Sequence, residues 1–335
     1  MEFFLNFEPK KIVPPVKYQD KIMLMGSCFT EHIGNALAEV KFPVLQNPNG
    51  ILFGPDAVCK SLLSYIDPVE YGENDLFYLN ETWNSWDHHS RFSRTVKQQT
   101  LESIHSSQQE AHEFLKKADW LVITLGSSFT YILNDYAEQG NKNTGETVAN
   151  CHRAPAAWFS KQLLETEGII AMMRDCISKI KAFNSKIRII FTISPVRHVR
   201  DGIVENNRSK ARLIEAVHEI TANDESCYYF PAYELVIDVL RDYRFYDVDL
   251  VHPNYAATAF VFEKFTEAWM DDTTRELMEE VRKIVRARKH KAFQPETKAH
   301  QDFLKAHVQK AIMLSERYPF LDLKEEIAWL SRSQS

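Results

Sequence analysis

The stretch that decides the fold is Lys21-Ile22-Met23-Leu24-Met25-Gly26-Ser27-Cys28-Phe29-Thr30. Its first half, Lys21–Met25, is a short apolar run, which predicts a buried strand of a parallel sheet. Gly26 permits a sharp turn, and Ser27 and Cys28 then present a hydroxyl and a thiol side by side. A helix that begins near Thr30 would direct backbone N–H groups toward this turn, where they favour a thiolate or a developing oxyanion.

Four further apolar runs have the length and composition of buried strands. They are Phe42–Leu45, Trp120–Leu125, Ile187–Ile193 and Cys227–Phe230. Helical patterns lie between the runs, at Glu31–Val40, Leu101–Ala118, Ala157–Ala182 (with a break near Glu165–Gly168) and Asn207–Thr221. This alternation predicts an open α/β sheet of about five parallel strands with helices on both faces. In such sheets ligands bind outside the carboxyl ends of the strands.

Two segments depart from the alternation. Residues 67–94 are rich in Trp, Asn, His and Ser and predict an ordered insertion. Residues 271–335 are dense in charge and predict a helical C-terminal extension, so we place the α/β domain at residues 1–270. The basic run Arg282–Lys289 in the extension is interpreted as a solvated helix face.

The bulk composition excludes several classes of protein. The formal net charge is −6 and the pI about 6.1, which favours neither nucleic acid nor an anionic membrane as a partner. The N-terminus lacks a secretory signal, and no stretch approaches the ~20 apolar residues that cross a bilayer. Five scattered cysteines without Cys-x-x-Cys spacing indicate reduced thiols and a cytoplasmic protein. We expect no cofactor and no metal, since a zinc site at Cys28 and His32 would lack two ligands.

The second informative motif is Asp249-Leu250-Val251-His252-Pro253-Asn254. A carboxylate three residues before an imidazole can bond one ring nitrogen while the other faces a substrate, which makes the imidazole a better base. Pro253 disfavours helix at His252 and keeps it on a loop. The alternative is a surface Asp–His pair that caps a helix starting near Tyr255.

Together these motifs resemble the SGNH (GDSL-type) hydrolase superfamily and, within it, the GSCFA family. The phrases Ile193–His198, Val148–His152 and Tyr243–Tyr246 add to the resemblance, which covers roughly residues 1 to 295. It implies a flavodoxin-like three-layer αβα fold and ester or acyl chemistry. It does not identify a substrate.

The superfamily pattern is matched with two departures. Without a gap, Cys28 takes the position of the nucleophile in Gly-Asp-Ser, whereas a one-residue slip would give Ser27. Where the pattern has Gly-x-Asn, this chain has Gly126-Ser127-Ser128, so the amide that helps to hold the oxyanion is missing. Gly126 and Ser128 remain the expected oxyanion donors. The candidates for a substitute are His152, Arg197, His198 and the pair His88–His89 in the insertion.

The leading hypothesis is a hydrolase or acyltransferase that acts on a small ester, including an O-acylated carbohydrate. Cys28 or Ser27 attacks, His252 is the base, and Asp249 orients it. A second hypothesis is a binding or regulatory module that keeps the fold without turnover. A third is a scaffold that forms a homo-oligomer through its helical extension.

Overall fold

The computed structural model describes residues 5–137 and 144–332, and the chain divides into two compact units. The first unit contains Met1–Pro9, Lys21–Gly34 and Val44–Lys264. The second contains Lys10–Asp20, Asn35–Pro43 and Phe265–Ser335. No helix in the described parts of the chain is long and apolar enough to cross a membrane.

The strands are β1 (Ile22–Gly26), β2 (Val44–Gln46), β3 (Phe77–Leu79), β4 (Thr82–Asn84), β5 (Trp120–Leu125), β6 (Phe129–Leu133), β7 (Phe159–Leu163), β8 (Arg188–Ile193) and β9 (Cys227–Tyr229). The helices are α1 (Cys28–Glu39), α2 (Pro55–Ile66), α3 (Lys97–Leu115), α4 (Thr166–Phe183), α5 (Ile203–Ala222), α6 (Ala232–Glu234), α7 (Tyr255–Trp269), α8 (Asp272–Lys289), α9 (Lys298–Arg317) and α10 (Lys324–Arg332). A π-helical segment, Leu235–Leu240, continues α6.

The first unit contains a five-stranded sheet in the order β2-β1-β5-β8-β9, in which every pair is parallel. All residues of β1 and β5 are buried, because helices flank the sheet. A large apolar core joins β1, β5 and β8 to helices α2, α3, α4 and α5. The prediction of an α/β fold with five parallel strands is confirmed, and their carboxyl ends meet at one edge of the sheet.

The prediction of one helix was partly wrong. The stretch Ala157–Ala182 was expected to be helical, but its first part forms β7, which pairs antiparallel with β6. Helix α4 begins only at Thr166, inside the break that the sequence indicated. Phe159 and Leu163 are four residues apart, a spacing that suits one face of a helix as well as the two ends of a short strand.

The insertion at residues 67–94 is ordered by a small apolar cluster of its own. It contains the hairpin β3–β4, and the rings of Phe77 and Trp86 stack with centroids 3.7 Å apart. Leu133 and Trp158 belong to the same cluster and tie the insertion to the hairpin β6–β7.

The second unit combines two short N-terminal segments with helices α8, α9 and α10. The ring of Tyr18 stacks on Phe42, with centroids 4.3 Å apart. The carboxylate of Glu326 is buried and paired with Lys41 at 3.0 Å and Arg288 at 2.9 Å. These pairs offset the cost of burying its charge.

Candidate active site

The turn after β1 is held against the central strand of the sheet. Gly26 has φ +137°, and a Cβ at this position would lie 2.1 Å from the carbonyl oxygen of Thr124. The N–H of Ser27 donates to the same oxygen at 3.1 Å. Only glycine fits here, because both the backbone angle and the close approach exclude a side chain.

Ser27 caps the helix that follows. Its Oγ accepts from the N–H of Phe29 at 3.3 Å, and the residue is only 3% exposed. Helix α1 therefore begins at Cys28, two residues before the predicted start. Cys28 occupies the first helical position and is partly exposed, with a free thiol. Of the two candidate nucleophiles, Ser27 is buried and its hydroxyl caps the helix, whereas Cys28 is partly exposed.

The thiol of Cys28 does not have the lowered pKa that a helix start alone would give. Burial raises its pKa above the ordinary value of 9.0. The N–H groups of Phe29 and Cys28 and the charge of Lys210 lower it, while Glu31 raises it further. Burial outweighs the helix start, so the resting residue is a thiol that needs a base.

Asn47, on the loop after β2, holds this turn in place. The sequence did not indicate this role. It is fully buried, and its Oδ1 accepts from the N–H of Gly26 at 2.9 Å. Its own N–H donates to Leu24 at 2.8 Å. The backbone of Asn47 has φ +46°, a conformation that asparagine tolerates better than most residues. The segment Asn47-Pro48-Asn49-Gly50 reads as an ordinary turn, so only the structure shows this contact.

Asp249 and His252 form the pair that their spacing predicts. Nδ1 of His252 lies 2.6 Å from Oδ2 of Asp249, and both side chains are about half exposed. Oδ1 of Asp249 also accepts the N–H groups of His252 at 3.0 Å and Val251 at 2.9 Å. These hydrogen bonds, the one from the His252 backbone first, lower the pKa of Asp249 to about 2. Nε2 of His252 makes no hydrogen bond to a described residue and is available as a base.

The loop that contains His252 is anchored to the carboxyl end of β8. The N–H of Arg197, just beyond β8, donates to the carbonyl oxygen of Val251 at 3.2 Å. The guanidinium of Arg197 lies over the rings of Tyr246, at 4.6 Å, and Tyr243, at 5.6 Å. Its charge therefore packs against the His252 loop itself, and its predicted role in binding substrate stays a prediction.

The two expected oxyanion donors are already bonded within the protein. The N–H of Gly126 donates to the carbonyl oxygen of Phe53 at 2.8 Å. Ser128 is fully buried; its N–H donates to Oγ of Ser209 at 2.7 Å, and its hydroxyl to the Ser209 carbonyl at 3.1 Å. The oxyanion roles of Gly126 and Ser128 remain predictions, and this arrangement does not favour them.

His198 lies directly beside Gly126. A Cβ on Gly126 would be 3.3 Å from Nε2 of His198. This nitrogen is buried and has no hydrogen-bond partner among the described residues. Burial, with smaller effects of Lys210 and His252, lowers the pKa of His198 to about 4. At neutral pH it is therefore an uncharged ring with one N–H to donate.

Lys210, on α5, is the main residue that the sequence did not indicate. It is 2% exposed, and its Nζ donates to the carbonyl oxygens of Gly126 at 2.7 Å and Ser194 at 2.6 Å. These two residues directly follow β5 and β8, so Lys210 ties the ends of the two strands together. Burial lowers its pKa to about 7. The run Asn206–Lys210 looks like the start of a surface helix, so nothing in it signals a buried amine.

His152 belongs to a different cluster. Its Nε2 pairs with the carbonyl oxygen of Ser85 at 2.8 Å and its Nδ1 with Ser90 at 3.2 Å, while its ring packs near Phe77 and Trp86. Burial lowers its pKa to about 4. The structure thus packs His152 against the insertion, and its role in substrate binding stays a prediction. Within residues 5–137 and 144–332, no three His, Cys, Asp or Glu side chains come together as a metal site.

Comparison with known proteins supplies the family. The model of the GSCFA family matches residues 21–265, and that of the GSCFA domain protein, C-terminal domain, matches residues 281–333. A comparison with curated proteins found no match. Similar solved structures include a carbohydrate esterase family 3 from Talaromyces cellulolyticus and the acetyl xylan esterase Est2A from Butyrivibrio proteoclasticus.

These structural similarities are distant. The Talaromyces esterase has a TM-score of 0.36 and 10% identity, over 78% of this chain and 99% of its own. The Butyrivibrio esterase has a TM-score of 0.37 and 12% identity, over 76% of this chain and 63% of its own. The family match covers most of the chain and includes the turn at Gly26–Phe29 and the loop with Asp249 and His252. The chain belongs to the GSCFA family.

Proposed function

We propose that this protein hydrolyses carboxylic esters, with Cys28 as the nucleophile, His252 as the base and Asp249 as the residue that orients it. The observation that supports this most is the Asp249–His252 pair, at 2.6 Å with Nε2 unbonded, on a loop joined to the end of β8. Cys28 follows β1 in the same parallel sheet, so both groups belong to one edge. The charge of Lys210 affects the pKa of both Cys28 and His198, and His252 also affects the pKa of His198. These effects support a common site for the four residues.

The chemistry follows from these groups. His252 takes the proton of the Cys28 thiol through Nε2, and the sulfur attacks the acyl carbon. The tetrahedral intermediate collapses, the alcohol leaves with the proton from His252, and an acyl thioester remains on Cys28. Water, activated by His252, then attacks the thioester and releases the acid and the thiol. Asp249 stays ionised throughout and stabilises the imidazolium.

The oxyanion needs a donor in place of the missing asparagine. The N–H of Cys28 at the start of α1 is one donor. We assign the second to the ring of His198, because it is uncharged at neutral pH and lies beside Gly126. His198→Ala is expected to lower kcat by about 10²-fold, whereas His198→Gln, which keeps a donor, should retain more activity.

An O-acylated carbohydrate or another small ester is the substrate class that the superfamily resemblance suggests, and the acceptor is water or a second hydroxyl. The protein is expected to act in the cytoplasm, which its five free cysteines support.

The experiment compares hydrolysis of short aryl esters by the wild type and by Cys28→Ala, Ser27→Ala and His252→Ala. His218→Ala, an exposed histidine on α5, and Cys151→Ala are the matched controls. Loss of activity in Cys28→Ala and His252→Ala, with activity kept in the controls, is expected. Ser27→Ala should lower the stability of the protein, because the helix cap is lost, but should keep the ester hydrolysis activity. Activity in Cys28→Ala equal to that of the wild type would remove Cys28 from the mechanism.

A second function is favoured by one observation. The N–H groups of Gly126 and Ser128 both donate hydrogen bonds within the protein and so are not free to hold an oxyanion. This arrangement favours a module that binds an ester without cleaving it. That module would show saturable binding of esters with no product over long incubations. Product formation that depends on His252 excludes it.

A further inference from the structure

Exposed large apolar side chains are concentrated on two segments, one at the start of α5 and the other around the Asp249–His252 pair. Among the described residues, 19 large hydrophobic side chains are exposed, and six of them fall within residues 199–204 and 243–250. We name these six the apolar rim: Val199, Ile203, Val204, Tyr243, Val248 and Leu250. Scattered exposed hydrophobic residues are ordinary, but a cluster marks a binding surface.

The two halves of the apolar rim are connected at the candidate site. The hydrogen bond from the Arg197 N–H to the Val251 carbonyl joins the two segments, and the Arg197 guanidinium lies over Tyr243. His198 directly precedes Val199, and Leu250 lies between Asp249 and His252. The rim residues thus flank His198 and the Asp249–His252 pair along the chain.

Leu250 adds an independent observation. Its φ is +59°, in the left-handed region, and its side chain is 52% exposed. Glycine or asparagine would take this conformation at lower cost, and a bulky residue there is strained. Since the side chain is not buried in the core, core packing does not account for the leucine. Strain of this kind concentrates at functional sites.

We propose that the apolar rim binds the aliphatic acyl chain of the substrate, with Leu250 as a specificity-determining residue. This inference rests on the proposed function and narrows its substrate class to esters of acids longer than acetate. Each methylene that becomes buried against the rim is expected to raise kcat/KM up to about fourfold.

The test measures kcat/KM for 4-nitrophenyl acetate, butyrate and hexanoate with the wild type, Leu250→Asn and Ile203→Ser. Val69→Ser, at an exposed apolar position elsewhere, is the control. We expect at least a tenfold rise from acetate to hexanoate in the wild type and in the control. Leu250→Asn should lose most of that rise and unfold at no lower temperature, because asparagine accepts the left-handed backbone.

Three results would overturn the inference. One is an acetate rate that equals or exceeds the hexanoate rate, which leaves the hydrolase intact. Another is an equal loss for all esters in Leu250→Asn. The third is a wild-type dimer that Leu250→Asn and Ile203→Ser dissociate, which shows a second copy on the rim.

If no ester is hydrolysed, the proposed function fails. Calorimetric titration with hexanamide and acetamide then tests separately whether the apolar rim binds an acyl chain. Tighter binding of hexanamide by the wild type than by Leu250→Asn supports the rim. Equal or undetectable binding of both amides contradicts it.

Discussion

Oδ2 of Asp249 lies 2.6 Å from Nδ1 of His252, while Oδ1 of the same carboxylate accepts the backbone N–H of His252 at 3.0 Å. One carboxylate thus holds both the ring and the backbone of the histidine. The ring is fixed in the tautomer that leaves Nε2 without a proton, which is the form a general base requires.

Replacing Asp249 by asparagine should remove this control. The amide can hold the ring in the wrong tautomer, so we expect kcat to fall by roughly 10²–10⁴-fold with little change in KM. Asp247→Asn, on the same loop, is the matched control. Steady-state kinetics on one aryl ester give kcat and KM for both variants. A kcat for Asp249→Asn within about threefold of the wild type would contradict the proposal that Asp249 orients His252.

The reactivity of Cys28 should increase with pH beyond the usual range of a cysteine. Its pKa is raised above 9.0, so the thiolate fraction, and with it the rate of alkylation by iodoacetamide, should still be rising at pH 9. Cys151, whose burial raises its pKa to about 11, should respond at still higher pH. Peptide mass spectrometry separates the two sites. A plateau for Cys28 below pH 8 contradicts the expectation.

Lys210 should make the stability of the protein depend on pH. Its pKa falls from 10.5 to about 7 on folding, so between these values the unfolded chain binds one more proton. Stability therefore rises as pH increases from about 7 toward 10, by on the order of a few kcal/mol for this group. Lys210→Met lacks this rise, and its disadvantage against the wild type should grow with pH. Parallel curves of unfolding free energy against pH would refute the assignment.

Gly26 should not tolerate alanine. A Cβ would meet the Thr124 oxygen at 2.1 Å in a backbone with φ +137°, so we expect a loss of several kcal/mol, on the order of an overpacked core. Gly168→Ala, in α4 with nothing within 4 Å of its Cβ, should instead stabilise by about 0.5–1 kcal/mol. Urea unfolding measures the midpoints of Gly26→Ala, Gly168→Ala and the wild type. Equal midpoints would contradict the expectation, because they would show that the turn accommodates a Cβ.

The sequence predicted the sheet because buried parallel strands are continuous apolar runs, as in Lys21–Met25 and Trp120–Leu125. The Asp249–His252 pair was predictable because its partners are three residues apart. The segment Phe159–Leu163 was missed because five residues with apolar ends fit either period, and its partner strand lies 26 or more residues earlier.

The rest of the site depends on contacts between distant segments. Lys210 bonds to Gly126 and Ser194, and Asn47 bonds to Gly26, across gaps that no local pattern records. The pKa of Cys28 was expected to fall because of the helix start, and it rises because the fold buries the thiol. Burial of this kind is a property of the packed chain and not of the motif.

The most direct measurement is the mass of the protein after brief reaction with an aryl ester, followed by peptide mapping at acidic pH. Acid quenching within the first turnover traps the intermediate, and His252→Ala, which lacks the base that deprotonates Cys28, is the control that should acquire little acyl group. We predict one acyl group on the peptide that contains Cys28, present in the wild type and in Ser27→Ala and absent in Cys28→Ala. An acyl group on Ser27, or turnover by Cys28→Ala at the wild-type rate, would contradict it.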